Sequence, residues 1–302
     1  MKREGSCDAP GFSLCHDRRR AADPSAVRIG RLRTLVRAMR ECQSRGRTRC
    51  RKRALVLCTI ATWLINGCAT PTQRTEALAR AAGASVERVD GAGFEHVVIA
   101  RNSTTDDATL HIYFSGDGTP WVHRTQIAND PTPRDPIELR LMLEDPAPSV
   151  YVGRPCYLGL AAAPGCGPAL WTVARYSQAV VDSMVNAVER VLDTSHATHI
   201  TLIGYSGGGV LAVLVANRVA RIGTVVTIGA NLDIDAWTTL HGYSALSQSL
   251  NPKNVAAWRD SLRQIHLVGE HDQNVPPAIA RRFSTGRSND EVRVVPHFDH
   301  RC

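Results

Sequence analysis

From about residue 85 onward, short apolar runs alternate with stretches in which apolar residues recur every three or four positions. Thr109–Phe114 (TLHIYF), His199–Gly204 (HITLIG), Thr224–Gly229 (TVVTIG), Gln264–Gly269 (QIHLVG) and Glu291–Pro296 (EVRVVP) are β-branched, apolar and bounded by turn residues, which predicts strands. Ser85–Asp90 and His96–Arg101 flank Gly91-Ala92-Gly93 and predict a strand–turn–strand, and Ser149–Gly153 predicts a further short strand. Asp135–Leu143, Ser177–Leu192, Gly207–Val219 and Pro276–Phe283 carry helical spacing. Strands alternating with helices imply βαβ units and a mostly parallel sheet. Strands apolar on both faces imply helices packed on both sides of it. The connection from Ala230 to Arg263 holds Trp237, Tyr243 and Trp258 and is long enough to form one wall of a pocket.

Upstream the pattern changes. Arg45–Arg53 is a basic run, Ala54–Ile65 (ALVLCTIATWLI) a short apolar run, and Asn66-Gly67-Cys68 a small-residue site, the parts of a secretory signal. The apolar run falls short of the about 20 residues that span a bilayer as a helix. LINGC resembles a bacterial lipobox, which implies lipidation at Cys68 and a membrane-anchored chain of the cell envelope; ordinary cleavage near Ala69, giving a periplasmic or secreted protein, is the alternative. Residues 1–44 are Arg-rich without a core pattern, and Met39 is a candidate start. The division expected is a leader over 1–67, a linker over 68–84 that ends in a short helical pattern, and a folded α/β domain over 85–302.

The formal charge of +8 suggests nucleic acid as a partner, but its distribution argues otherwise. Residues 1–67 carry 16 of the 36 Lys and Arg and 5 of the 28 Asp and Glu, an excess of 11 positive charges; residues 68–302 carry the remaining 20 and 23, an excess of 3 negative. Of nine cysteines, four lie in 68–302: Cys68, Cys156, Cys166 and Cys302. Cys156 and Cys166 sit ten apart in a Pro/Gly-rich loop, which in an oxidising envelope predicts a disulfide.

Gly204-Tyr205-Ser206-Gly207-Gly208 fits G-x-S-x-G and lies between a predicted strand and a predicted helix, where a tight turn lifts a serine hydroxyl above the sheet edge. With the stretches Thr109–Trp121, Gly153–Cys156, Gly165-Cys166, Arg175–Ser177, Asn231–Trp237 and His297–His300, it resembles the α/β-hydrolase superfamily from about Thr109 to His300. The resemblance implies an α/β-hydrolase fold and a nucleophile, acid and base in that chain order. Ser206 is the nucleophile, Asp272 after QIHLVG the acid and His300 after the last strand the base. Glu270 and His297 are the alternatives, and Asp299 is expected to shape its loop. The oxyanion hole implied comprises the backbone N–H of Gly207 and that of Asp117 in Ser115-Gly116-Asp117-Gly118, with Gly118 the alternative donor. Trp121, Trp171, Trp237 and Trp258 are candidates for substrate contact; His241 and Tyr243 are expected to be structural.

The expected activity is hydrolysis of a small-molecule carboxylic ester or related acyl bond through an acyl-enzyme, with no cofactor, metal or nucleic acid. A peptidase or amidase on the same fold and a non-catalytic binding lipoprotein are the rivals.

Overall fold

In the computed structural model, residues 69–101, 108–123, 125–284 and 288–301 are described; the leader, with Met39 and Cys68, lies outside them. The first element is a helix, α1 (Pro71–Ala81), begun by a capping box in which Thr70 Oγ1 accepts from Gln73 N–H and the Gln73 side chain accepts from Thr70 N–H. The sequence reading placed a linker over 68–84. Within that range α1 buries Thr75 and Ala79, and residues from Ala69 onward belong to one compact unit. Too few of its residues are apolar for the pattern alone to reveal a packed face.

The strands that follow are β1 (Ser85–Asp90), β2 (Glu95–Arg101), β3 (Thr109–Phe114), β4 (Trp121–His123), β5 (Gln126–Ile127), β6 (Ser149–Val152), β7 (His199–Tyr205), β8 (Ile222–Ile228), β9 (Arg263–Gly269) and β10 (Asp290–Val295). The helices are α2 (Ile137–Glu144), α3 (Gln178–Asp193), α4 (Gly207–Ala216), α5 (Ile234–His241) and α6 (Pro277–Ser284), with short 3-10 turns at Pro168–Trp171 and Pro252–Asn254. Eight strands form one sheet in the order β1-β2-β6-β3-β7-β8-β9-β10, and β4 and β5 pair as a separate hairpin. From β6 to β10 every neighbour is parallel; β2 runs antiparallel to both β1 and β6.

Alternation along the strands divides the core in two. Ile112, Phe114, Leu202 and Val225 face α3 and α4, together with Phe283 of α6. Tyr113, Ile99 and Tyr151 face Ala79 of α1 and Leu139 and Met142 of α2. All ten residues of α4 are buried, which explains why GGGVLAVLVA shows no amphipathic stripe. The amphipathic α3 covers it, started by Ser177, whose hydroxyl accepts from Val180 N–H.

The sequence anticipated these sheet strands and α2, α3, α4 and α6 to within a few residues. It missed α5 and the β4–β5 hairpin. Helix α5 rests on the Asp233 cap, whose carboxylate accepts from Ala236 N–H, and on Gly242 in the left-handed conformation at its end.

The chain leaves β3 to one side to make β6, then crosses to the other side to make β7. That reversal opens a crevice at the carboxyl ends of the central strands, where open α/β sheets place their sites.

Candidate active site

The candidate site is built from the loops that follow the strands at this crevice. At the end of β7, Ser206 has φ 50° and ψ −123°, a region that costs a non-glycine residue about 1–3 kcal/mol. The turn is held by Ser206 N–H donating to Ile228 O (2.8 Å) and Gly209 N–H donating to Ser206 O (2.9 Å). The Ser206 hydroxyl lies 3.1 Å from Nε2 of His300, and Nδ1 of His300 lies 2.8 Å from Oδ2 of Asp272. A carboxylate only accepts, so Nδ1 carries the proton and Nε2 offers its lone pair to the hydroxyl. The residues that the sequence reading singled out at 206, 272 and 300 are thus joined in one relay.

Local chemistry fixes each member. Asp272 is buried, and its Oδ1 accepts from Asn274 N–H (2.9 Å) and Val275 N–H (2.7 Å), a turn that aims Oδ2 at the imidazole. The loop carrying His300 is tied by Tyr205 Oη donating to His300 O (2.9 Å), His271 N–H donating to Phe298 O (2.8 Å), and Asp299 Oδ1 accepting from Arg301 N–H (2.7 Å). Asp299 therefore shapes its loop. Gly229, at φ +56°, lies where a Cβ would come 3.2 Å from both Asp272 Oδ2 and His300 Nδ1. Glu270 and His297 stand outside the relay: both are exposed, and Glu270 Oε2 accepts from His297 N–H at 3.1 Å.

On the opposite side, the loop after β3 meets the start of α4. Gly207 is the first residue of α4, so its N–H has no acceptor within the helix. A Cβ on Gly207 would fall 2.1 Å from Asp117 Oδ1 and 2.5 Å from Tyr176 Oη, so only glycine lets the two segments approach. Arg154 Nη1 donates to Gly116 O (3.4 Å) and Tyr157 Oη to Asp117 O (3.0 Å). In a trans peptide the N–H points opposite to the C=O, so Arg154 turns the N–H of Asp117 away from itself. Among the described residues the N–H groups of Asp117 and Gly207 have no hydrogen-bond partner. Gly118 has φ +65°, and a Cβ there would strike Pro131 O at 2.1 Å, so its glycine is required for the turn.

The sequence reading missed what the Asp117 side chain does. Its carboxylate is gripped by Arg154 Nη1 (2.5 Å), Arg175 Nη1 (2.8 Å) and Tyr176 Oη (2.8 and 2.7 Å). Burial alone would raise the carboxyl pKa. The charges of Arg175 and Arg154 and the hydrogen bonds from Arg154 and Tyr176 outweigh it and hold it down at about 2. Arg154 is almost wholly buried, gives Nη2 to Arg175 O (2.6 Å) and lies between the rings of Tyr157 and Tyr176. These partners are 37, 58 and 59 residues from Asp117, and no linear spacing links them. The one available signal was an Asp in a glycine loop facing a buried helix, a position that needs a cation. Cys156 and Cys166 form the expected disulfide, in the loop that carries Arg154 and Tyr157.

The crevice has a volume of about 930 Å³. Trp121 and Trp237 line it, as does Tyr243. Trp171 does not, because its indole is buried and donates to Ala128 O; Trp258 instead packs edge-on against Phe283. His241 holds the adjoining wall, stacking on Tyr243 and bonding Asn274 O through Nε2 (2.7 Å). Glu138 of α2 also lines the crevice. It is buried, its Oε1 has no hydrogen-bond partner among the described residues, and burial pushes its pKa up to about 7. No described helix is long and apolar enough to cross a membrane.

No family model and no curated protein matches this sequence. Among solved structures, the chain is similar to a membrane phospholipase A described as a bacterial virulence factor, at 13% identity over 82% of this chain and 90% of that one, with a TM-score of 0.51. It is also similar to an esterase of Pyrococcus furiosus (13%, 77% and 88%, TM-score 0.48) and to an α/β serine hydrolase without lid from Xanthomonas campestris (13%, 72% and 86%, TM-score 0.46). With helices on both faces of a mostly parallel eight-stranded sheet, and its serine on the turn between β7 and α4, this chain has the α/β-hydrolase fold.

Proposed function

We propose that the protein is a serine hydrolase acting on carboxylic esters. The carrying observation is the continuous relay from Ser206 Oγ through the His300 imidazole to the buried Asp272 carboxylate. In this reading Ser206 Oγ attacks the acyl carbon while His300 Nε2 takes its proton, and Asp272 stabilises the imidazolium. The N–H groups of Asp117 and Gly207 receive the tetrahedral oxyanion, a contribution of about 3 kcal/mol for each well-placed donor. The bond to the leaving oxygen breaks as His300 returns the proton to it. Water then repeats the sequence on the acyl-enzyme, releasing the acid and regenerating Ser206. An open crevice edged by Trp121, Trp237 and Tyr243 favours accessible esters.

A fluorophosphonate probe tests the reading. The wild-type protein is expected to be labelled and to hydrolyse 4-nitrophenyl esters, with both lost in Ser206→Ala. Folded wild-type protein that takes no label would refute it. The basic run, the apolar run and Cys68 further support export and lipid anchorage in a bacterial envelope, and the disulfide suits such a compartment. Incorporation of a palmitate analogue, abolished in Cys68→Ala, is the corresponding measurement; a wild-type chain that incorporates none ends the idea.

A further inference from the structure

The ionisable groups lining the crevice do not balance. On the acidic side, both oxygens of Asp117 are taken by two guanidiniums and a phenol, Asp135 is paired with Arg140, and Glu138 is buried with its carboxyl pushed toward the neutral form. On the basic side, Arg134 and Arg301 are exposed lining residues with no carboxylate partner among the described residues. Arg175 is the most constrained of the three. Its Nε donates to Thr172 O (2.7 Å) and its Nη1 to Asp117 Oδ2 (2.8 Å), while its Nη2 has no partner among the described residues. The residue lines the crevice and is 7% exposed. A guanidinium held at Nε and Nη1 in the wall of the crevice has already lost its rotamer freedom, so little further ordering is needed to bind an anion. This local surplus of positive charge runs against residues 68–302 as a whole, which carry an excess of 3 negative charges.

We propose that the crevice selects acyl substrates bearing an anionic group, a carboxylate or a phosphate, received by the free edge of Arg175 with Arg134 and Arg301 adding to the field. The proposal rests on the hydrolase reading, since it names the substrate class of that site. Guanidinium suits this chemistry because its paired N–H donors match two oxygens of a carboxylate or phosphate at once. Fixed cations in a walled crevice also raise the local concentration of an anionic substrate in a salt-dependent way.

The experiment compares ester pairs that differ in charge. One arm sets mono-4-nitrophenyl glutarate against 4-nitrophenyl pentanoate; the other sets a monoacylglycerol phosphate against the uncharged monoacylglycerol. The charged member of at least one pair is expected to be favoured about tenfold in kcat/KM at low salt, chiefly through KM, and the arm that responds identifies the anion. The preference is expected to shrink to about threefold or less in Arg175→Gln, and to fall in the double variant Arg134→Gln/Arg301→Gln, which leaves the Asp117 cluster intact. Neutral members turned over as well as or better than charged ones overturn this proposal and leave the hydrolase reading standing. Labelling of Ser206 by fluorophosphonate with no turnover of any charged ester has the same consequence, whereas absence of labelling removes both readings. A preference unchanged in both variants overturns the assignment to these arginines.

Discussion

Two aspartates flank Ser206, Asp272 buried and Asp117 half-buried, and their partners set them in opposite electrostatic roles. Among the described residues Asp272 has a single ionisable partner, the His300 imidazole, and otherwise accepts from backbone N–H groups of its own turn. In the proposed mechanism that imidazole gains a proton as Ser206 attacks, and the carboxylate stabilises the charge that then appears. Asp117 is already neutralised by two permanent cations and a phenol. It has no unmet electrostatic demand and serves as a post on which the loop after β3 is fixed. For buried Glu138, desolvation outweighs the opposing charges of Arg140 and Arg154 and holds it toward its neutral form. All three are carboxyls with little exposure; the partner set decides how each is held.

Substitutions can break this contrast. The largest expected effect is on rate: Asp272→Asn keeps the turn but leaves the imidazole in the wrong tautomer, and a loss of about 10⁴-fold in kcat is expected with little change in Tm. Steady-state kinetics and thermal melts on one sample decide it, and a rate within tenfold of wild type would assign Asp272 a structural part. Asp117→Asn is expected to act chiefly on stability, costing about 3–5 kcal/mol in chemical denaturation because two buried guanidiniums lose their counter-charge. The folded carboxyl pKa is about 2 against an ordinary 3.8, so Asp117 stabilises the fold above about pH 4 and the benefit is lost as pH falls toward 2. The deficit of the variant should therefore be flat from pH 5 to 9; a deficit that varies across that range would contradict the clamp.

Glu138→Gln is the smallest and has the opposite sign. A carboxyl whose folded pKa is raised from 4.5 to about 7 holds its proton more tightly folded than unfolded. Stability is then lost as pH rises through that window, at up to about 1.4 kcal/mol per unit. The glutamine variant should melt above wild type at pH 8, with the gap closing toward pH 5. Parallel melting curves for the two proteins would show that Glu138 does not titrate there.

Much of the sheet was legible because its strands are buried on both faces, so HITLIG, TVVTIG and QIHLVG stand out as apolar runs whatever surrounds them. The amphipathic α3 was equally plain. Helix α1 was read as the end of a linker and α5 was passed over because polar caps at Thr70 and Asp233, together with contacts to distant residues, hold short segments whose own pattern is weak. The positions 206, 272 and 300 were readable because each follows a strand, and strand ends in a parallel sheet gather on one edge. The arginine–tyrosine grip on Asp117 was not, since its members come from separate loops that carry no periodicity.

By itself, then, the chain determined where its strands lie, where its serine turn sits and which residues follow the strand ends, since local spacing and turn chemistry suffice for these. Only the tertiary structure decided which charges neutralise one another and which aromatic residues and arginines line the crevice. Those depend on distances between residues far apart in sequence, and electrostatic pairing is a property of space rather than of order along the chain.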